Sequence, residues 1–238
     1  MKKNEFINGI KDGIPICLGY FSVSMAFGLS AVLSGLPVWA AILTSFTNLT
    51  SAGQFAGVNI VLAGGRFLEL AITTLIINMR YFLMSLSVSQ KVDSSMTLWQ
   101  RLLVSFGITD EIFAVSMRHQ RALTASYMAG LIITPVIGWT GGTAAGSILT
   151  SIMPEALSSA MGIALYGMFI AIIIPPAREH KNVFIAILIA AFASIVFSYA
   201  PLLKNISGGW TIIIITVAVS ALCATLFPVR DGKEKGAE

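Results

Sequence analysis

Charge, histidine and cysteine are scarce in this chain, and each scarcity removes a class of function. Charged residues make up 11% of the 238 positions, under half of the roughly 25% found in an ordinary soluble domain. The two histidines, His119 and His180, fall in basic loops where they are expected to face water. Neither an H-E-x-x-H metalloprotease nor a serine protease with a histidine base at membrane depth fits that placement. The two cysteines, Cys17 and Cys223, each sit inside an apolar run. They form neither a disulfide framework nor a C-x-x-C site, and read as core filler. A G-x-x-x-x-G-K-[ST] loop is lacking too, which argues against an ATP-driven pump. The net charge is +4, scattered through short loops without an aromatic-interleaved basic patch, so nucleic acid is not an expected partner. No cofactor or metal is expected.

What the chain has instead is apolar length. Hydrophobic residues make up 56% of it and the mean hydropathy is +0.84. Charge-free stretches run from Gly13 to Gly65, Ala122 to Pro154, Ala156 to Ala177, Val183 to Leu203 and Asn205 to Val229. A bilayer core of about 30 Å needs roughly 20 apolar residues per helical crossing, so the first stretch is long enough for two. Runs such as ILIAAFASIVF lack the alternation of a membrane barrel, which leaves helices. The expected fold class is an all-α integral membrane protein of seven or eight transmembrane helices, with an internal repeat and an interrupted second helix. Seven segments are apolar throughout: Pro15 to Ser34, Pro37 to Ala63, Phe67 to Val88, Tyr127 to Thr150, Ala156 to Ile174, Val183 to Tyr199 and Trp210 to Phe227. An eighth, Leu98 to Met117, carries Asp110 and Glu111 in its interior. It either crosses with the acids facing protein or lies as an amphipathic or re-entrant piece.

Loop charges favour eight crossings with the N-terminus cytoplasmic in a bacterial-type inner membrane, since Lys and Arg gather in short inside loops. That count puts Lys91, Arg101 and Lys204 outside and the other loop cations inside. Residues 1–12 then form a cytoplasmic segment, 13–229 the permease domain, and 230–238 a charged tail. FGLSAVLSGLP (Phe27 to Pro37) echoes AGSILTSIMP (Ala145 to Pro154), which suggests repeats over 13–120 and 121–229. Trp39, Trp99, Trp139, Trp210 and Tyr199 lie mostly near expected helix ends, as interfacial belts do.

Polar groups inside the apolar segments are few. Asn48, Thr50, Ser51 and Gln54 interrupt the second segment as SFTNLTSAGQFAGVN, with Gly53 and Gly57 beside them. Such a stretch either unwinds to present a half-helix N-terminus to a carboxylate or simply packs helices closely and bonds between them. Asn78 and Arg80 lie past the midpoint of the third segment, where an arginine costs about 2.5 kcal/mol or more unless it pairs. Its available partners are Asp110 and Glu111. The arrangement is either a buried ion pair between helices or a substrate clamp, with Arg80 on a carboxylate and an acid taking the coupling proton or the substrate ammonium. Gly138, Gly142 and Gly146 repeat small-xxx-small spacing and read as helix packing.

The succession GIPICLGYFSVSMAFG, SAGQFAG, NMRYFLMS and GITDEIFA resembles the AzlC-type permeases, the large subunits of branched-chain amino acid exporters linked to azaleucine resistance. The likeness by motif covers Asp12 to about Ala114, and the rest follows by helix pattern. It implies a secondary exporter, not an enzyme, that carries valine, leucine, isoleucine and sometimes methionine, driven by the proton gradient and working with a small AzlD-type membrane subunit. Its motifs map onto Gly53, Gln54, Asn78, Arg80, Asp110 and Glu111 among the polar groups isolated above, and with Asn48 and Ser51 from the interrupted segment the expected substrate site is Asn48, Ser51, Gly53, Gln54, Asn78 and Arg80, with Asp110 and Glu111 as coupling groups. The alternatives are a non-catalytic membrane scaffold and an enzyme acting at the lipid interface.

Overall fold

The computed structural model of the chain describes residues 2–150, 170, 173–201, 203 and 206–227. The helices are α1 (Lys2–Leu33), α2 (Val38–Thr47), α3 (Ala52–Leu62), α4 (Phe67–Lys91), α5 (Leu98–Phe106), α6 (Asp110–Arg118), α7 (Ala125–Thr150), α8 (Lys181–Tyr199) and α9 (Gly208–Leu226). Among the described residues five helices, α1, α4, α7, α8 and α9, are long and apolar enough to cross a bilayer. The expected crossing from Ala156 to Ile174 lies outside the described residues except for Ile170, Ile173 and Ile174.

α1 and α7 form the axis of the molecule. A Cβ added at Gly130 would lie 2.9 Å from the Ile10 nitrogen, one at Gly138 would lie 2.7 Å from Cys17 Sγ, and one at Gly146 would lie 3.0 Å from Met25 Cα. Partner numbers rise together along both helices, so α1 and α7 run parallel. Gly130, Gly138, Gly142 and Gly146 form one stripe that lets the two backbones touch, the packing expected of small residues in membrane helices. The same contact explains why α1 starts at Lys2 and not near Pro15. Gly9 packs against Tyr127 and Leu131, which holds three further turns in helix. Pro15 is accommodated inside α1, as prolines are in membrane helices with close neighbours.

The second segment does not cross. α2 descends from the end of α1, and Ser45 Oγ lies 2.6 Å from Thr143 Oγ1 on α7. The chain breaks at Asn48 to Ser51 and turns back: Phe55 on α3 stacks edge-on against Phe27 at 5.0 Å, and Val58 joins Phe27, Ala31 and Ala41 in one buried cluster. α3 therefore ends at the face where α1 ends. α4 starts at that face and runs antiparallel to α3, since Gly53 abuts Asn78 midway along α4 while Gly65 abuts Glu69 near its start.

The acid-bearing segment is the counterpart. α4 ends at the face where α1 began: Lys91 Nζ donates to the Ser116 and Met117 carbonyls at 3.1 and 2.8 Å, closing the end of α6, as a cation at a helix C-terminus should. The Leu123 N–H donates to the Lys91 carbonyl at 2.9 Å and the Asp93 N–H to the Leu123 carbonyl at 3.0 Å, tying that end to the start of α7. In this loop the Ser95 hydroxyl and N–H hold the Asp93 carboxyl below the usual carboxylate range. α5 goes in from this face, breaks at Gly107 to Thr109, and α6 returns to it.

The eight-crossing reading thus differs from the structure in both interrupted segments, each of which is a re-entrant pair of half-helices. Hydrocarbon tolerates such breaks only where protein or a water-filled cavity covers them. The units α1–α2–α3 and α4–α5–α6 are inverted copies: one long helix, then a half-helix pair reaching inward from the face where that helix ends. Their breaks share a trace of sequence, SFTNLTSAGQFA from Ser45 and SFGITDEIFA from Ser105.

Candidate functional site

The first break builds itself from Asn48. Its Oδ1 accepts the Thr50 N–H at 3.0 Å, an Asx turn that competes with helix. Ser51 then takes φ +47°, the one positive value at a non-glycine among the described residues, a conformation that costs on the order of 1 kcal/mol or more and gathers at functional sites. α3 begins at the next residue with no side-chain cap. Beside it two buried oxygens, Thr50 Oγ1 and Asn78 Oδ1, have no partner among the described residues. The missing Cβ at Gly53 makes their approach possible, since one there would lie 3.3 Å from either head atom of Asn78. Of the residues expected to hold substrate, Gly53 and Asn78 meet here, and Asn48 and Ser51 shape the turn.

Gln54 is committed elsewhere. It is 1% exposed and sits in a buried relay: Trp139 Nε1 donates to Gln54 Oε1 at 3.0 Å, Gln54 Nε2 donates to Ser45 Oγ at 2.5 Å, and Thr143 Oγ1 donates to the Ser24 carbonyl at 3.3 Å. The Ser45 and Thr143 hydroxyls close the chain. The amide thereby locks α3 to α2 and α7. Trp139, placed by its residue type in an interfacial belt, is 2% exposed in the middle of α7, whereas Trp39, Trp99 and Tyr199 are exposed as belt residues are.

The second break carries the charges. Arg80 Nη1 meets Asp110 Oδ2 at 2.6 Å with both side chains half-exposed. Thr109 caps α6, accepting the Ile112 N–H at 3.4 Å. Tyr20 Oη lies 2.6 Å from Thr109 Oγ1 and 2.5 Å from Glu111 Oε2. With one proton on the phenol, Tyr20 donates to the carboxylate and receives from Thr109. The Tyr20 ring packs edge-on against Trp139 at 5.3 Å. Both breaks therefore rest on the α1–α7 axis, joined through Tyr20, Trp139 and Gln54, while Asn78 and Arg80 point from α4 toward different breaks.

Sequence reasoning missed Tyr20, Ser24, Ser45, Trp139 and Thr143, whose residue types are ordinary in apolar helices. It also missed Glu69, 5% exposed on α4, whose carboxylate accepts the Ser207 hydroxyl at the start of α9. Among the described residues no group of histidine, cysteine and acids is placed to hold a metal ion.

The family model described as AzlC protein matches residues 15–153, more than half the chain. The chain is 26% identical over 204 residues to the inner membrane protein YgaZ of Escherichia coli, covering 82% of this chain and 83% of that protein. It is 29% identical over 176 residues to a membrane protein of Archaeoglobus fulgidus, covering 73% and 77%, and 24% identical over 204 residues to one of Helicobacter pylori, covering 82% and 88%. No solved structure matches the chain. A helical membrane protein with two interrupted segments resting on one helical axis, matched over residues 15–153 by that model, this chain belongs to the AzlC family and has a membrane transporter-like role.

Proposed function

We propose that the chain is the large subunit of a two-component secondary transporter that exports valine, leucine, isoleucine and methionine at the expense of the proton gradient. The observation that carries this reading is the pair of helix breaks, Asn48 to Ser51 and Gly107 to Thr109, brought to one level from opposite faces. Broken helices at the middle of the membrane, related by an inverted repeat, are how many secondary transporters place a solute between two gates. The Thr50 hydroxyl, unpartnered among the described residues, and the open end of α3 offer donors for a substrate carboxylate, and the acids at the start of α6 offer acceptors for its ammonium. Arg80, Asp110 and Glu111 supply the charge that a coupled proton requires, and the Arg80 and Asp110 side chains are half-exposed. A small AzlD-type membrane subunit is the proposed partner.

The proposed setting is the cytoplasmic membrane with the N-terminal face inside. Folding back the two broken segments supports this orientation. Over residues 2–150 the N-terminal face then carries Lys2, Lys3, Lys11, Lys91, Arg101, Arg118 and Arg121, against Arg66 alone at the opposite face, a bias of the sign that places a face in the cytoplasm.

The test is efflux of preloaded radiolabelled leucine from cells expressing the chain with its small partner, with and without an uncoupler. Uncoupler-sensitive efflux that is lost in Arg80→Gln and in Asp110→Asn, each still inserted in the membrane, is the expected result. Efflux unchanged by both variants would refute the site, and no efflux from the wild type would refute leucine export.

A further inference from the structure

At the N-terminal face, where α1 and α7 begin and α6 ends, a cavity of about 520 Å³ opens, lined by Glu5, Asp12, Arg118, His119, Arg121 and Tyr127 among others. Its two signs of charge come from different elements. The acids belong to α1, and the cations to the end of α6 and the connection into α7. They barely neutralise each other: the one ion pair between them among the described residues, Arg121 to Glu5, spans 3.9 Å with the arginine side chain 82% exposed. Asp12 is held in place by the Tyr127 hydroxyl, which donates to it at 2.8 Å. His119 is partly buried in the cavity wall. Its ring stacks on Tyr127 at 4.1 Å, and among the described residues its buried Nε2 has no partner. An unsatisfied buried nitrogen costs about 1–3 kcal/mol unless something reaches it.

We infer that this cavity is a loading site for a small zwitterion of the α-amino acid type, its ammonium against Glu5 and Asp12 and its carboxylate against Arg118 and His119. The separation of charge selects the ligand class. An anion alone would meet the acids of α1, a cation alone would meet the arginines, and only a molecule carrying both matches both walls. The place fits the role. α6 leads from Arg118 to Asp110, eight residues or roughly 12 Å of helix, so a solute released from the cavity is one short helix away from the Arg80–Asp110 pair. This inference rests on the proposal that the chain carries amino acids, and adds to it a second, outer site.

His119 is itself the reporter, since the chain holds only two histidines. Full-length protein labelled with ¹³C-histidine is placed in lipid nanodiscs and its spectra are followed during titration with L-leucine and L-alanine. Leucinamide, which lacks the carboxylate, and isocaproate, which lacks the ammonium, serve as single-charge controls, and His119→Asn assigns the resonance. The expected result is a saturable movement of the His119 signal with either amino acid and a still His180 signal. Each single-charge control, and each of Arg118→Gln and Glu5→Gln, should require at least tenfold more ligand. No movement with either amino acid overturns the site, as does equal response to isocaproate or leucinamide, or indifference to both charge variants when thermal unfolding shows them folded. Leucine efflux without His119 movement sinks the loading site and spares the export reading. His119 movement without efflux does the reverse.

Discussion

Adjacent glycines on α7 allow the α1–α7 contact to be weighed without changing residue chemistry. A Cβ on Gly141 would meet only Phe21 Cε2, at 4.0 Å, whereas one on Gly142 would press into Ser24 Oγ and the Phe21 carbonyl, with the Phe21 carbonyl carbon at 2.9 Å. Replacing either by alanine gains about 0.5–1 kcal/mol from backbone entropy, and that gain is common to both. At Gly142 the added methyl must also push two backbones apart. Overpacking of this kind costs about 1–3 kcal/mol, and here it further stretches the Ser45–Thr143 contact one residue away. Gly141→Ala is therefore expected to be neutral or slightly stabilising and Gly142→Ala destabilising. The two variants should differ by about 1–3 kcal/mol, or roughly 2–12 °C in unfolding temperature for a chain of this size. Size-exclusion-detected thermal unfolding in detergent measures the difference directly. Equal unfolding temperatures would refute both the register and the parallel direction derived from it.

Gln54→Leu strands the buried Trp139 Nε1 and should cost about 1–3 kcal/mol. The Gln54→Leu/Trp139→Phe double variant should recover part of that loss in a thermal-unfolding cycle, and strict additivity would disprove the relay. Tyr20→Phe removes only the hydroxyl between Thr109 and Glu111. Losing a hydrogen bond to a charged group, worth about 1.5–3 kcal/mol, should lower the unfolding temperature by roughly 3–12 °C and lower leucine efflux from protein that is still folded, and wild-type efflux would remove Tyr20 from the site.

Residue types made the breaks legible before any contact was known. Asn48, Ser51 and Gly53 combine turn chemistry with a missing side chain, and Asp110 and Glu111 are acids where lipid would be expected. The direction of the chain after each break was not legible. Pro37 to Ala63 is long enough to cross, and its hydropathy is the same whether α3 continues onward or folds back. The Phe55–Phe27 stack and the approaches of Gly53 to Asn78 and Gly65 to Glu69 decide for return. Lys91 and Arg101 fell on the wrong face in the sequence reading for this reason, since one assumed crossing reverses every loop after it. Trp139 was hidden by a rule of composition. Tryptophan is common at interfaces, yet this indole has its hydrogen-bond acceptor in Gln54 and so sits deep without penalty. Gly138, Gly142 and Gly146 were read as packing, and they are the α1 contact itself.

The inverted copies are not chemically equal, and the inequality gives the centre a polarity. α6 starts with Asp110 and Glu111 in its first turn and a Thr109 cap, so the positive end of its dipole is already answered by acids. α3, its counterpart, starts from Ser51 and Ala52, with neither an acid in its first turn nor a side-chain cap. A zwitterion between the breaks would therefore turn its carboxylate to α3 and its ammonium to the acids of α6. Installing the missing acid tests this. Asp and Asn are nearly the same size and meet the same backbone conformation at φ +47° and ψ −90°, so Ser51→Asp and Ser51→Asn should fold alike, and the aspartate should add about 0.3–1 kcal/mol of helix stabilisation. Ser51→Asp then fills the carboxylate position with a fixed charge and should abolish leucine efflux, while Ser51→Asn retains it. Efflux surviving in Ser51→Asp would mean that the open end of α3 never meets the solute's carboxylate.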